Sequence, residues 1–278
     1  MPYARSGGTT IYYEVSGDGG PPLVLIRGFA SSLHTWNGVD AELARDHAMV
    51  VLDNRGAGRS DVPKGKYTTA TMADDVARVL DATGLDSAHV LGTSLGGMIA
   101  QELALRHPDR VRSLVLAATT AGRAGGMALR KRGVLTLAVA SLLPAMLRRC
   151  MISLATLSHR ARSDRAKNGR PHSSPPPDSR APLNGMIGQA WAIFGHRTFD
   201  RVVEISAPTL VIHGTCDNLI HWQHARILAD LIPAARLELW SGAGHDLATE
   251  APQRLALTVR QHVHDMEPSR IRAGVRAD

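Results

Sequence analysis

The chain has 278 residues, 44% of them hydrophobic and 21% charged, which is ordinary globular composition and enough length for one large α/β domain with a buried core. No run of about 18 uninterrupted apolar residues occurs, which excludes an evident membrane span; the greasiest stretch, residues 134–147, is broken by Pro144 and closed by Arg148 and Arg149. The formal net charge of +7 is concentrated in residues 123–180 and at the C-terminal end, without the aromatic interleaving, zinc spacing or recognition-helix pattern of a nucleic-acid surface, so no nucleic-acid partner is expected.

The first eight residues lack the apolar core of a signal peptide, and two cysteines, Cys150 and Cys216, are too few for a disulfide framework. A cytoplasmic location and two cysteines acting as small apolar fillers are the expectation.

In chain order, residues 3–6 and 10–16 read as an N-terminal β-hairpin around Gly7-Gly8. Residues 23–26 are continuously apolar, as a parallel strand buried on both faces should be. A loop from Arg27 to Asn37, a short helix over 39–45 and a second buried strand over 48–53 follow. The apolar spacing at 72, 76, 79 and 80 predicts a helix over 71–83, stopped by Gly84. Residues 88–91 predict a strand, 97–105 a helix and 111–118 a further strand. The alternation resumes with a strand over 209–213, a helix over 222–231, a strand over 236–240 and a final helix over 253–264. Strands alternating with helices imply a parallel sheet with helices on both faces.

The middle of the chain breaks this rhythm. Residues 127–158 read as two apolar helices split near Pro144, residues 158–182 as a flexible, basic, Pro/Ser-rich loop, and 184–194 as another short helix. Core segments 1–118 and 201–266, a lid insertion over 119–200 and a basic tail over 267–278 are the expected organisation. The basic insertion is either a solvated surface or one that attracts an anionic or carrier-linked small-molecule substrate. Its apolar residues between 135 and 152, Met146 among them, are either core or the lining of an apolar acyl pocket.

Chemistry concentrates at Gly92-Thr93-Ser94-Leu95-Gly96, a G-x-S-x-G turn between a strand and a helix. Alone it also fits a Gly-rich turn with a capping serine. A serine nucleophile needs a base, and His245, on the loop after strand 236–240, is the candidate. The base needs an acid to orient it; Asp217, on the loop after strand 209–213, is preferred over the adjacent Asp246. The backbone N–H groups of Leu95 and Phe29 are the candidate oxyanion donors, with Gly28 allowing close approach of substrate. No cofactor or metal is implied, because the glycines at 56 and 58 do not open a helix after a strand.

The blocks Arg27-Gly28-Phe29, residues 53–60, residues 92–97, and the contexts of Asp217 and His245 resemble the α/β-hydrolase superfamily, in its single-domain branch with a helical lid. The resemblance implies a mostly parallel eight-stranded α/β sheet and a nucleophile–acid–base order of Ser94, Asp217 and His245. It also implies that Asp53, Arg55 and Ser60 tie down a turn beside the serine. Relatives usually carry histidine before the oxyanion-loop glycine; Arg27 here either supports the loop or faces an anionic substrate. A serine hydrolase acting on an ester, lactone or thioester is the leading expectation. A lyase using the same residues and a small-molecule receptor are the alternatives. The serine at the elbow argues against epoxide hydrolases and haloalkane dehalogenases, which use aspartate there. Nothing in the sequence decides between monomer and dimer.

Overall fold

Parallel strands with apolar side chains on both faces need a helical layer on each side. The computed structural model, which describes residues 2–17, 19–122, 155–168 and 181–267, has that arrangement. Its strands are β1 (Tyr3–Ser6), β2 (Thr9–Ser16), β3 (Pro22–Ile26), β4 (Ala48–Leu52), β5 (Ala88–Thr93), β6 (Val111–Ala117), β7 (Thr209–Gly214) and β8 (Arg236–Trp240). They form one eight-stranded sheet in the order β1-β2-β4-β3-β5-β6-β7-β8. β2 pairs antiparallel with β1 and β4, and every other pairing is parallel. The expected α/β-hydrolase sheet is therefore present.

The described helices are α1 (Val39–Leu43), α2 (Thr69–Thr83), α3 (Leu95–Arg106), α4 (His159–Asn168), α5 (Leu183–Gly195), α6 (Gln223–Leu231), α7 (Leu247–Glu250) and α8 (Pro252–Met266). Strand alternation sorts the core into two. Val24, Ile26, Val50, Val90 and Leu116 belong with Met72, Val76, Met98, Leu103 and Leu228 of α2, α3 and α6. Leu23, Leu25, Val51, Leu91 and Ile212 belong with Val39, Leu43, Leu255 and Val259 of α1 and α8. Each such side chain, fully buried, stabilises the fold by about 1.5–3 kcal/mol of transfer free energy.

Local chemistry sets the helix ends. Helix α2 starts two residues before the predicted position because Thr68 Oγ1 accepts the Thr71 N–H at 3.0 Å, and it stops at Gly84 in the left-handed conformation (φ 71°). Helix α4 occupies part of the stretch predicted as a flexible loop. Composition favoured disorder there, but Ser158 Oγ accepts the Ala161 N–H at 3.2 Å and starts the helix. Cys216 departs from its reading as an apolar filler: it is exposed on the loop after β7, where its backbone N–H donates to the Ala243 carbonyl. Cys150, Met146 and nearly all of the two helices expected over 127–158 lie outside the described residues. No helix among the described residues is long and apolar enough to cross a membrane.

The chain runs from β3 to β4 on one side and then returns to β5 on the other, so the strand order reverses between β3 and β5. In open α/β sheets the crevice beyond the carboxyl ends of such strands is where ligands bind. Here those ends are Ile26, leading to Arg27-Gly28-Phe29, and Thr93, leading to Ser94.

Candidate active site

Ser94 is the sole connection between β5 and α3, and such a sharp turn forces an uncommon backbone: φ 56°, ψ −117°. A non-glycine residue there is strained, and persists only where the surroundings over-determine it. Those surroundings are specific. Ser94 N–H donates to the Ala117 carbonyl at 2.9 Å, and the Ser94 carbonyl accepts from Thr119 Oγ1 at 2.8 Å. A Cβ on Gly92 would overlap the Gly96 carbonyl, and one on Gly96 would overlap the Ile26 carbonyl, so only glycine lets the turn close against the sheet.

Beside it, Gly28 leaves the space over the hydroxyl open: a methyl group there would lie 3.1 Å from Ser94 Cβ and 3.7 Å from Oγ. The Leu95 N–H is the first of α3 and has no acceptor within the helix. Phe29, half-buried, packs on the core that includes α2 and α3. Around it, the Ala30 N–H donates to Gln189 Oε1 at 2.8 Å and the Ser31 N–H to the Gly28 carbonyl at 3.4 Å.

Asp217 and His245 arrive on the loops after β7 and β8, at the carboxyl ends of strands parallel to β5. The loops carrying them touch at Gly214, where a Cβ would overlap the Gly244 carbonyl. His245 Nε2 lies 3.0 Å from Ser94 Oγ, and His245 Nδ1 lies 2.7 Å from Asp217 Oδ2. An ionised carboxylate only accepts, so Nδ1 carries the proton and the Nε2 lone pair faces the hydroxyl. Asp246 is engaged elsewhere: its carboxylate faces Arg27 at 3.5 Å and accepts from Thr249 Oγ1 at 2.7 Å. Of the two carboxylates, it is Asp217 that lies within hydrogen-bond distance of His245 Nδ1.

Asp217 is 1% exposed. Burial alone would raise its carboxyl, but the His245 charge and hydrogen bonds from His213 and His245 outweigh it and hold the group well below the usual carboxylate range. Burial pushes the His245 imidazole down, yet the Asp217 charge and hydrogen bond overcome this and raise it above the ordinary histidine value; Asp246 adds and Arg27 opposes.

Arg27 is 6% exposed, and its guanidinium is occupied within the protein. Nε donates to Thr35 Oγ1 at 3.0 Å, both terminal nitrogens face Asp246, and the group sits 4.9 Å from the Trp36 ring centroid. The Arg27 carbonyl accepts from Asn54 Nδ2 at 2.9 Å. Asp53 Oδ1 and Oδ2 accept from the Leu33 and Arg59 N–H groups, Ser60 Oγ bonds the Asp53 carbonyl, and Arg55 is paired with buried Asp75. These residues tie down the turn beside the elbow and brace the loop after β3.

Two clamps had no sequence signal of their own. Gln189 on α5, fully buried, accepts from Ala30 N–H and donates to the Arg55 carbonyl at 2.9 Å, joining the loop after β3 to the turn after β4. Glu250 accepts from Ser158 N–H and Oγ and from Gly244 N–H, while the Thr156 carbonyl accepts from the His245 and Asp246 N–H groups. Chain before α4 is thus fastened to the His245 loop. A buried glutamine on a helix reads as core until its partners, 134 and 159 residues away, are visible. Replacing Gln189 with alanine leaves one N–H and one carbonyl unsatisfied, and thermal unfolding should report a loss of about 2–5 kcal/mol.

A family model described as alpha/beta hydrolase fold matches residues 21–252. The chain is 43% identical over 116 residues to a protein of Azorhizobium caulinodans carrying the name carbamate hydrolase RutD, a match covering 42% of this chain and 43% of that one. It is 30% identical over 234 residues to the protein of that name in Pseudomonas savastanoi pv. phaseolicola, covering 81% and 86%. Among solved structures, Est816, described as an N-acyl homoserine lactone degrading enzyme, superposes with a TM-score of 0.78 at 29% identity, covering 94% of this chain and 99% of that one.

Proposed function

The chain belongs to the alpha/beta hydrolase family and is an enzyme of the hydrolase kind, and from that premise we propose a serine hydrolase that cleaves a carbonyl–heteroatom bond through an acyl-enzyme on Ser94. The observation that carries this reading is the continuous hydrogen-bond chain from Ser94 Oγ through His245 to Asp217. In the proposed cycle Ser94 Oγ attacks the substrate carbonyl while His245 Nε2 takes its proton. Asp217 holds the Nδ1–H and stabilises the imidazolium. The oxyanion is received by the Phe29 and Leu95 N–H groups. His245 then protonates the leaving group, and water activated by the same nitrogen releases the acid.

The substrate class proposed is an ester, lactone or thioester. The names borne by the relatives add carbamates to the candidates and give N-acyl homoserine lactones as one kind of lactone to include. In this reading Arg27 braces the oxyanion loop rather than holding substrate, because Thr35, Asp246 and Trp36 already occupy its guanidinium. Residues 155–168 and 181–200 are proposed as the described part of a lid over the crevice, with the small-molecule substrate entering beneath it. Turnover of a panel of such substrates in ¹⁸O-labelled water tests the proposal. Hydrolysis places one labelled oxygen in the acid product; a product formed by elimination, with no label incorporated, contradicts it.

The raised His245 imidazole gives a pH prediction. The base works only when neutral, so kcat/KM should fall as pH drops through the His245 titration. The midpoint of that acid limb should lie above the ordinary value of about 6.5. A midpoint below that value would contradict the role assigned to Asp217.

A further inference from the structure

Asp217 does not serve His245 alone. His213, at the end of β7 and fully buried, places Nε2 3.0 Å from Asp217 Oδ2, the same oxygen that faces His245 Nδ1. His213 Nε2 also lies 3.1 Å from the Ile220 carbonyl. A carbonyl only accepts, so the His213 proton is on Nε2 and is shared between that carbonyl and the carboxylate. Among the described residues, buried His213 Nδ1 has no partner, so a second proton there would meet no acceptor from them. The other carboxylate oxygen, Oδ1, accepts the Leu219 and Ile220 N–H groups at 2.7 and 2.9 Å. Four donors therefore converge on one buried carboxylate.

We infer that His213 is a positioning residue for the Asp217–His245 pair: its Nε2–H fixes the carboxylate and, by competing for Oδ2, limits how tightly His245 holds its proton. The inference rests on the proposed role of His245 as the base. A carboxylate held only by the Leu219 and Ile220 amides could pivot about Oδ1; the His213 donor prevents this. An oxygen shared between two donors offers each less charge than an oxygen serving one. Among the described residues, the charged and titratable groups around this hydrogen-bond chain are Asp246, Arg27, His224 and His221. Asp246 and Arg27 flank His245, and their carboxylate and guanidinium face each other at 3.5 Å. His224 of α6 lies within electrostatic reach of Asp217 and His221. Burial pushes His224 down to about 4, so it is neutral near neutral pH. Its Nδ1 is bonded to Thr120 Oγ1.

The test combines ring ¹⁵N NMR of the whole chain with the pH dependence of kcat/KM for p-nitrophenyl acetate, in wild type, His213→Leu and His213→Gln. In wild type the His213 proton should reside on Nε2 through the pH range in which His245 titrates. His213→Leu should move the His245 titration and the acid limb together to higher pH, leaving about three- to ten-fold less neutral His245 at a fixed acidic pH. His213→Gln, whose amide can donate from a similar position, should restore both. A wild-type proton on Nδ1, or a His245 titration identical in all three proteins, overturns the inference. If His213→Leu does not fold, the wild-type tautomer decides it, a proton on Nε2 supporting the inference and one on Nδ1 overturning it, and a His213→Gln titration displaced from wild type counts against it. The NMR titration does not depend on turnover, so a wild type that never acylates Ser94 sinks the hydrolase reading while leaving the His213 result readable.

Discussion

Replacing Ser94 with alanine should lower kcat by about 10⁵- to 10⁶-fold, the scale expected when a nucleophile that works as a unit with its base is removed. The fold should be almost unaffected. Alanine keeps the Cβ and meets the same strain at φ 56°, while the bonds that hold the turn come from the Ser94 backbone to Ala117 and Thr119 rather than from the hydroxyl. The side chain loses the 3.0 Å bond to His245 Nε2. Thermal unfolding should therefore place the variant close to wild type while activity disappears. A variant that retains more than about one hundredth of wild-type kcat would show that the serine is not the nucleophile.

Asp217→Asn should cost about 10⁴-fold in kcat, and for a different reason. The oxygen of asparagine would stay with the Leu219 and Ile220 N–H groups, placing the amide N–H₂ where Oδ2 now accepts from His245 and His213. Two donors would then meet a third. His245 relieves the conflict by moving its proton to Nε2, where it can no longer take one from Ser94. Substrate binding need not change, so the loss should fall on kcat with KM little altered. Stability should change too. The depressed Asp217 carboxyl contributes stability that is present above the ordinary carboxylate range and lost as pH falls through its folded value. Wild type should therefore show an acid-dependent loss of stability that Asp217→Asn reduces.

Much of this was legible in the sequence because the signals were local. Continuous apolar runs at 23–26 and 48–52 could only be two-faced strands, and Gly92 and Gly96 bracket a turn that tolerates no Cβ at either position. The order of Ser94, Asp217 and His245 relative to strands β5, β7 and β8 anticipated a meeting between residues 151 and 28 positions apart. What escaped was either compositional or dependent on long-range partners. Helix α4 sits in a stretch whose basic composition spoke for disorder, because its start depends on Ser158, itself held by Glu250. Cys216 looked like filler, since a cysteine beside a strand is usually drawn inward, but the loop after β7 turns it outward. Gln189 and His213 carried no motif. His213 is four residues before Asp217 on the same strand-and-loop, a spacing that becomes informative only once the loop folds the carboxylate back over the strand end.

The acyl-enzyme is the species on which the whole account depends, and intact-protein mass spectrometry of rapidly acid-quenched turnover mixtures measures it directly. With p-nitrophenyl acetate the protein should gain the mass of one acetyl group, mapped to Ser94 by peptide analysis. The adduct should form and decay at least as fast as steady-state turnover and be absent from Ser94→Ala. Steady turnover with no adduct on Ser94 under conditions that slow deacylation, or an adduct mapped to another residue that decays at the turnover rate, would contradict the central claim.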